Sequence, residues 1–275
     1  MPDQLYGAPR TRRVTVRDLQ TAKERGERWP MVTSYDAMTA RVIEDAGVPV
    51  LLVGDSAAMV VYGHDSTIPV TMEEMLPLVG GVVRGTSTAM VVADMPFGSY
   101  QASPAQALQN AARFLKQAGA HAVKLEGGER VLPQVELLVS SGVPVMAHLG
   151  LTPQSVSTLG GYRAQGRGEA GQQLLREAKA LEQAGAFALV LEVVPAELAE
   201  AVTASLSIPV IGIGAGRACV AQVLVWQDLM GLSPDRPAKF VKRYHDLYGT
   251  MREAVGRWGD DVAAGRYPDE DHLYH

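Results

Sequence analysis

Five segments of this 275-residue chain repeat one phrase, and that phrase restricts the possible folds more than any other feature. They are AGVPVLLVGD (46–55), AGAHAVKLEGG (118–128), SGVPVMAHLG (141–150), AGAFALVLEVV (184–194) and SIPVIGIGAG (207–216). A sixth, TAMVVADMPFG (88–98), lacks the leading glycine. In four of them Gly47, Gly119, Gly142 or Gly185 follows a helical pattern, where a helix commonly ends in a left-handed residue. A short apolar run rich in β-branched residues comes next, without alternation, as expected of a strand buried on both faces. Each run then ends in Gly, Asp, Glu or His.

Between the runs lie helical patterns with recognisable starts. Thr71-Met72-Glu73-Glu74 spells a capping box, with Thr71 as N-cap and Glu74 at the third helical position. Ser103 before Pro104 opens a helix expected to run through Gln117. Further helices are expected over 36–45, 129–140, 169–183 and 196–205. With WPMVTSYD (29–36) as the first strand and AQVLVWQD (221–228) as the last, the strands number eight. Such alternation predicts parallel βαβ units and an α/β fold, the (β/α)8 TIM barrel, with an open doubly wound sheet as the competing arrangement. The link from Gly216 to Ala221 is too short for a helix, so the barrel is expected to be irregular there. No linker or charge block divides the chain, which reads as one domain over 1–275. A helical extension (12–28) precedes a barrel core (29–234), C-terminal helices (235–264) follow, and the polar tail (265–275) is expected to be partly disordered.

Composition removes several classes of function. A net charge of −5 without a dense basic run leaves no electrostatic footprint for nucleic acid. No apolar run approaches the roughly 18 residues that span a bilayer, and the opening MPDQLYGAPRTRR has no apolar signal core. Cys219 is the single cysteine, which excludes an internal disulfide and fits a reducing compartment. The expectation is a cytoplasmic protein whose partner is a small molecule, not nucleic acid or membrane.

A barrel of this kind works at the C-terminal ends of its strands. The ionisable residues there are Asp55, Asp94, Glu126, His148 and Glu192, with Lys124 two residues before Glu126. Within apolar strands such groups are costly unless paired, protonated or metal-bound. Asp55 and Asp94, from adjacent strands, suit an oxygen-seeking cation such as Mg²⁺, with Glu126 nearby; each aspartate alone reads more often as a cap on the following turn or helix. No Cys or His pair has zinc spacing. Lys124 and Glu126 share a strand face, as a salt bridge within the barrel or as a holder of a substrate carboxylate beside a metal-directed glutamate. His148 reads as a core histidine when taken alone. Glu192 follows the apolar AFALVL, an environment that suits a general base. Gly212-Ile213-Gly214-Ala215-Gly216 has GxGxG spacing, which reads as a tight turn, not a nucleotide site. The 152–168 loop, with its glycines and arginines, reads as a mobile lid.

The segments TSYDAMTA, VGDSAAMVVYGHDSTIPVTMEEML, VVADMPFGSY, AVKLEGG, VMAHLGLTPQSVSTLGGYRAQGRG, LVLEVVP and IGIGAG occur in order between about residues 13 and 260. In combination they resemble the ketopantoate hydroxymethyltransferase family. The resemblance implies a (β/α)8 barrel of pantothenate biosynthesis, assembled as a homodecamer. It further implies Mg²⁺-dependent transfer of a hydroxymethyl group from 5,10-methylenetetrahydrofolate to 3-methyl-2-oxobutanoate, giving 2-dehydropantoate, with one Mg²⁺ in each subunit. On this resemblance Asp55 and Asp94 are metal ligands and Glu126 is metal-associated. Asp55, Ser56, Asp94 and Lys124 contact the 2-oxo acid with His148 near it, and Glu192 is the proton acceptor. Two departures stand out: Gly54-Asp55-Ser56-Ala57-Ala58-Met59 where the family often reads GDSLGM, and Cys219-Val220-Ala221-Gln222 where it typically reads CDGQ. The second bears on folate binding or subunit contact. The same carboxylates would also serve a metal-dependent C–C lyase acting on 2-oxo acids. A non-catalytic barrel, retained for binding or assembly after the Val220-Ala221 change, is a third reading.

Overall fold

Strands that are apolar on both faces bury them most simply by pairing in parallel, with helices outside and a side-chain core within. The computed structural model describes residues 4–159, 161, 163–233 and 236–275, and it closes eight such strands into a barrel in chain order. These are β1 (Trp29–Thr33), β2 (Val50–Val53), β3 (Met90–Asp94), β4 (Ala122–Glu126), β5 (Val145–Gly150), β6 (Ala188–Glu192), β7 (Val210–Ile213) and β8 (Ala221–Leu224). Neighbours run parallel, and β8 returns to β1 in the register Trp29↔Ala221 to Val32↔Leu224. The closed barrel, not the open sheet, is therefore the architecture.

The helices are α1 (Val16–Glu24), α2 (Ala37–Asp45), α3 (Ala57–Val60), α4 (Met72–Gly85), α5 (Pro104–Arg113) and α6 (Leu132–Ser140). They continue with α7 (Val156–Leu159), α8 (Glu169–Gln183), α9 (Ala196–Ser205), α10 (Trp226–Met230) and α11 (Leu247–Ala263). Their starts follow local chemistry. The Thr71 hydroxyl accepts the Glu74 N–H while the Glu74 carboxylate accepts the Thr71 N–H, and the Ser103 hydroxyl accepts the Gln106 N–H. The four strand-leading glycines all take positive φ, between +76° and +97°. Several boundaries differ from expectation: the extension expected over 12–28 is helical only over Val16–Glu24, the first strand ends at Thr33, the last ends at Leu224 with a helix from Trp226, and the helix expected within 235–264 starts at Leu247. The helix expected to reach Gln117 ends at Arg113 and widens into a π-turn, Phe114–Ala118. The segment 129–140 opens as a 3₁₀ turn, Glu129–Val131, because Pro133 is tolerated only in the first turn of an α-helix. No helix separates β7 from β8, as the short link requires.

The barrel core has a period of two. Met90 and Val92, Ala122, Met146, and Ala188 and Val190 join Trp29, Met31 and Ala221 in one buried cluster, together with Leu19 and Ala22 of α1. Continuing the same register toward the C-terminal ends reaches Asp94, Lys124 and Glu126, His148, and Glu192. The alternation that builds the core thus delivers the ionisable groups into the mouth. Val220 and Ala221 lie at the opposite end, where Ala221 pairs with Trp29 inside the core.

Contacts divide the chain into two compact units, Met1–Val225 and Trp226–His275. Within the second unit Tyr267 packs edge-on against Trp258, with ring centroids 6.2 Å apart, and Glu270–His272 forms a 3₁₀ turn. No helix among the described residues is long and apolar enough to cross a membrane.

Candidate active site

Register sets the first contacts at the mouth. Asp94 and Lys124 are partners on adjacent strands, and Lys124 Nζ donates to both Asp94 oxygens at 2.7 Å. The within-strand alternative is much looser, since Glu126 Oε1 lies 4.0 Å from the same ammonium. Glu126 instead faces its own register partner His148, whose Nδ1 is 3.2 Å from Glu126 Oε1. The other imidazole nitrogen, Nε2, lies 3.4 Å from Glu192 Oε2. Asp55 is one residue beyond the β2 register position held by Gly54, and its N–H donates to Asp94 Oδ2 (3.2 Å). Ser56 follows, with its hydroxyl 2.8 Å from that of Tyr35. The sequence-derived residues Asp55, Ser56, Asp94, Lys124, Glu126, His148 and Glu192 therefore all gather at one mouth, and His148 bridges Glu126 and Glu192.

Charge and burial are in tension here. Asp55, Asp94, Lys124, Glu126 and His148 are all at most 4% exposed. Burial raises the Asp55 carboxyl well above its ordinary range, and the negative charges of Asp94 and Glu126 push the same way. Burial opposes the charge on Lys124, but Asp94, Glu126 and Asp55 outweigh it and hold the ammonium charged. For His148, burial and Lys124 both disfavour the imidazolium; Glu126 and Glu192 overcome them and raise it to about 9. With Asp55, Asp94, Glu126 and Glu192 all ionised, four carboxylates would face one ammonium and one imidazolium and leave two formal negative charges; a divalent cation complements that state and opposes the protonation that burial favours at Asp55. Glu126 Oε1 and both His148 nitrogens are buried without a well-aligned hydrogen bond from the protein.

Among the described residues, no three His, Cys, Asp or Glu side chains converge closely enough to cage a metal alone. That donor set fits Mg²⁺, which binds through one or two carboxylates and completes its octahedron with waters and substrate oxygens.

Two neutral residues organise the site without having stood out in sequence. Tyr100, 1% exposed, accepts the Glu126 N–H (3.1 Å) and donates its hydroxyl to Gln154 Oε1 (2.7 Å). Gln154 lies in the 3₁₀ turn Pro153–Ser155 after β5. Both are polar residues in the loop directly after a strand end, which is the one signal that marks them. The expected lid begins at this turn. Gly160 and Tyr162 lie outside the described residues, and beyond them the Gln165 N–H donates to the Val193 carbonyl (3.0 Å). The GxGxG segment makes a tight turn, with Gly214 and Gly216 at positive φ and no helix after it.

A closed parallel barrel with carboxylates, an ammonium and an imidazole converging at its C-terminal mouth defines a (β/α)8-barrel enzyme. The sequence model of the family described as ketopantoate hydroxymethyltransferase matches residues 13–270, and the chain belongs to that family. It is 62% identical over 271 residues to a 3-methyl-2-oxobutanoate hydroxymethyltransferase of Thermobifida fusca (strain YX), covering 98% of this chain and 96% of the relative. It is 57% identical over 272 residues to the protein of the same name from Mycobacterium sp. (strain KMS), covering 99% and 96%. Among solved structures, 2,3-dimethylmalate lyase, a PEP mutase/isocitrate lyase superfamily member, matches with a TM-score of 0.58 at 17% identity. That match covers 94% of this chain and 91% of the lyase, and at such identity it speaks for the barrel alone.

Proposed function

We propose that this chain transfers a hydroxymethyl group from 5,10-methylenetetrahydrofolate to 3-methyl-2-oxobutanoate, forming 2-dehydropantoate, as a Mg²⁺-dependent cytoplasmic homodecamer. The observation that carries the reading is the continuous arc Asp55–Asp94–Lys124–Glu126–His148–Glu192, together with family membership. The C3–H of the 2-oxo acid is a very weak acid, so its removal needs a placed base and stabilisation of the charge that develops on the keto oxygen. Asp55, Asp94 and Glu126 would hold Mg²⁺, which when bound supplies a Lewis acid to the substrate's keto and carboxylate oxygens. Lys124, kept charged and aimed by Asp94, offsets the substrate carboxylate. Ser56, steadied by the Tyr35 hydroxyl, contacts the same acid. Glu192 takes the C3 proton at a carboxylate oxygen, and His148 beside Glu192 Oε2 orients that carboxylate. The electron pair left at C3 then forms the new C–C bond to the folate-borne one-carbon unit; over the whole transfer both C–N bonds to that carbon break, water supplies the hydroxyl oxygen, and the two folate nitrogens take up one proton from C3 and one from the water.

The Val220-Ala221 change sits at the far end of the barrel, which supports an intact site over a non-catalytic barrel. Incubation with 3-methyl-2-oxobutanoate tests the reading. Product is expected only with 5,10-methylenetetrahydrofolate and is expected to fall on chelation of Mg²⁺. Folate-independent C–C cleavage of a 2-oxo acid would replace this reading with the lyase.

A further inference from the structure

Three loops at the mouth meet on one uncharged side chain. Gln154 is 5% exposed, and its amide has every donor and acceptor engaged. Nε2 donates to Asp55 Oδ2 (3.0 Å) and to the Met95 carbonyl (2.9 Å). Oε1 accepts from the Tyr100 hydroxyl (2.7 Å) and from Gln101 Nε2 (3.1 Å). The backbone N–H of the same residue donates to Glu126 Oε2 (3.1 Å). The amide has only one workable orientation, because turning it over would set Oε1 against a carboxylate and a carbonyl. One residue thereby fixes an oxygen of Asp55, after β2, and an oxygen of Glu126, at the end of β4. Glu126 Oε1 is left facing His148 Nδ1 at 3.2 Å, buried and without a well-aligned hydrogen bond.

We propose that Gln154 is a positioning residue for the cation, setting Mg²⁺ affinity by holding Asp55 and Glu126 in a fixed relative geometry. The inference rests on the metal reading given above. When both are ionised, as cation binding requires, Asp55 and Glu126 repel each other where water is scarce, and without a shared neutral donor they lower that repulsion by turning apart. Tyr100 and Gln101 hold the donor in turn. Residues that orient metal-binding side chains in this way typically govern 10- to 100-fold in metal affinity.

Calorimetric titration of the metal-free full-length protein with MgCl₂, in the presence of 3-methyl-2-oxobutanoate and without folate, tests the proposal apart from turnover. Gln154→Leu removes the amide at similar size and is expected to raise the Kd for Mg²⁺ by roughly 10- to 100-fold. Gln154→Glu replaces the donor facing Asp55 with an oxygen; it is expected to weaken binding at least as much, and it serves if the leucine variant does not fold. Tyr100→Phe is expected to give a smaller loss in the same direction. Asp55→Asn separates the two ideas. Native Mg²⁺ affinity in the folded Gln154 variants, while Asp55→Asn loses binding, overturns the role of Gln154, even if those variants melt at lower temperature. Native affinity in Asp55→Asn overturns the metal reading and the role of Gln154 with it.

Discussion

Lys124 lies with its ammonium 2.7 Å from both Asp94 oxygens, in a site where neither residue reaches water freely. Lys124→Met leaves a buried carboxylate uncompensated, and we expect a loss of about 3–5 kcal/mol in urea denaturation. A loss under about 1 kcal/mol would mean that the pair is not held as described. Gly150 is a second sensitive position: it takes φ +97°, and a Cβ there would sit 2.2 Å from the Glu192 carbonyl oxygen. Gly150→Ala is therefore expected to lower the melting temperature and to slow any step that depends on Glu192, measured as turnover of the folded fraction. At this scale the charged residues were legible, because an ionisable group closing an apolar strand is conspicuous in one dimension. Gln154 was not. Its neutral amide acquires meaning only through Asp55, 99 positions away in the chain.

Elements were readable where a local signal starts or stops them. The Thr71/Glu74 box and the Ser103-Pro104 start formed as expected, and Thr71→Ala is expected to cost about 1 kcal/mol of stability by thermal denaturation. The π-turn after Arg113 was hidden, since an α-helical pattern and a π-turn bury much the same side chains. The start of β4 carries a pH-sensitive contact. His121 Nδ1 accepts the Val91 N–H (2.9 Å), which only a ring with a lone pair on that nitrogen can do. Burial, then the charge of Arg13, lowers its pKa to about 4. The folded state thus favours the neutral ring. The stabilisation is complete above about pH 6.5, the unfolded value, and is lost as pH falls toward 4. With its partial exposure the expected size is roughly 1–2 kcal/mol. His121→Gln is expected to flatten stability between these pH values, and an unchanged slope would remove His121 as the cause.

The fold was legible as parallel βαβ units because six similar phrases and two further strands admit few arrangements, and closure in chain order decides for the barrel over the open sheet. Trp226–His275 carries helical signals that read in sequence as appendages of one domain, and contacts group these residues as a unit of their own. Within that second unit α11 has no buried residue and exposes Met251, Val255 and Trp258, and an apolar face reads alike in sequence whether it meets a core or another subunit. We expect sedimentation velocity to show the homodecamer of the proposed function; a stable monomer would contradict that assembly.

The central claim is that Glu192 removes the C3 proton of the bound 2-oxo acid, and proton NMR of 3-methyl-2-oxobutanoate in D₂O, with Mg²⁺ and without folate, tests it most directly. The native protein is expected to exchange the C3 proton for deuterium, and Glu192→Gln to slow that exchange by roughly 100-fold or more. Equal exchange by the two proteins would contradict the assignment of Glu192 as the base.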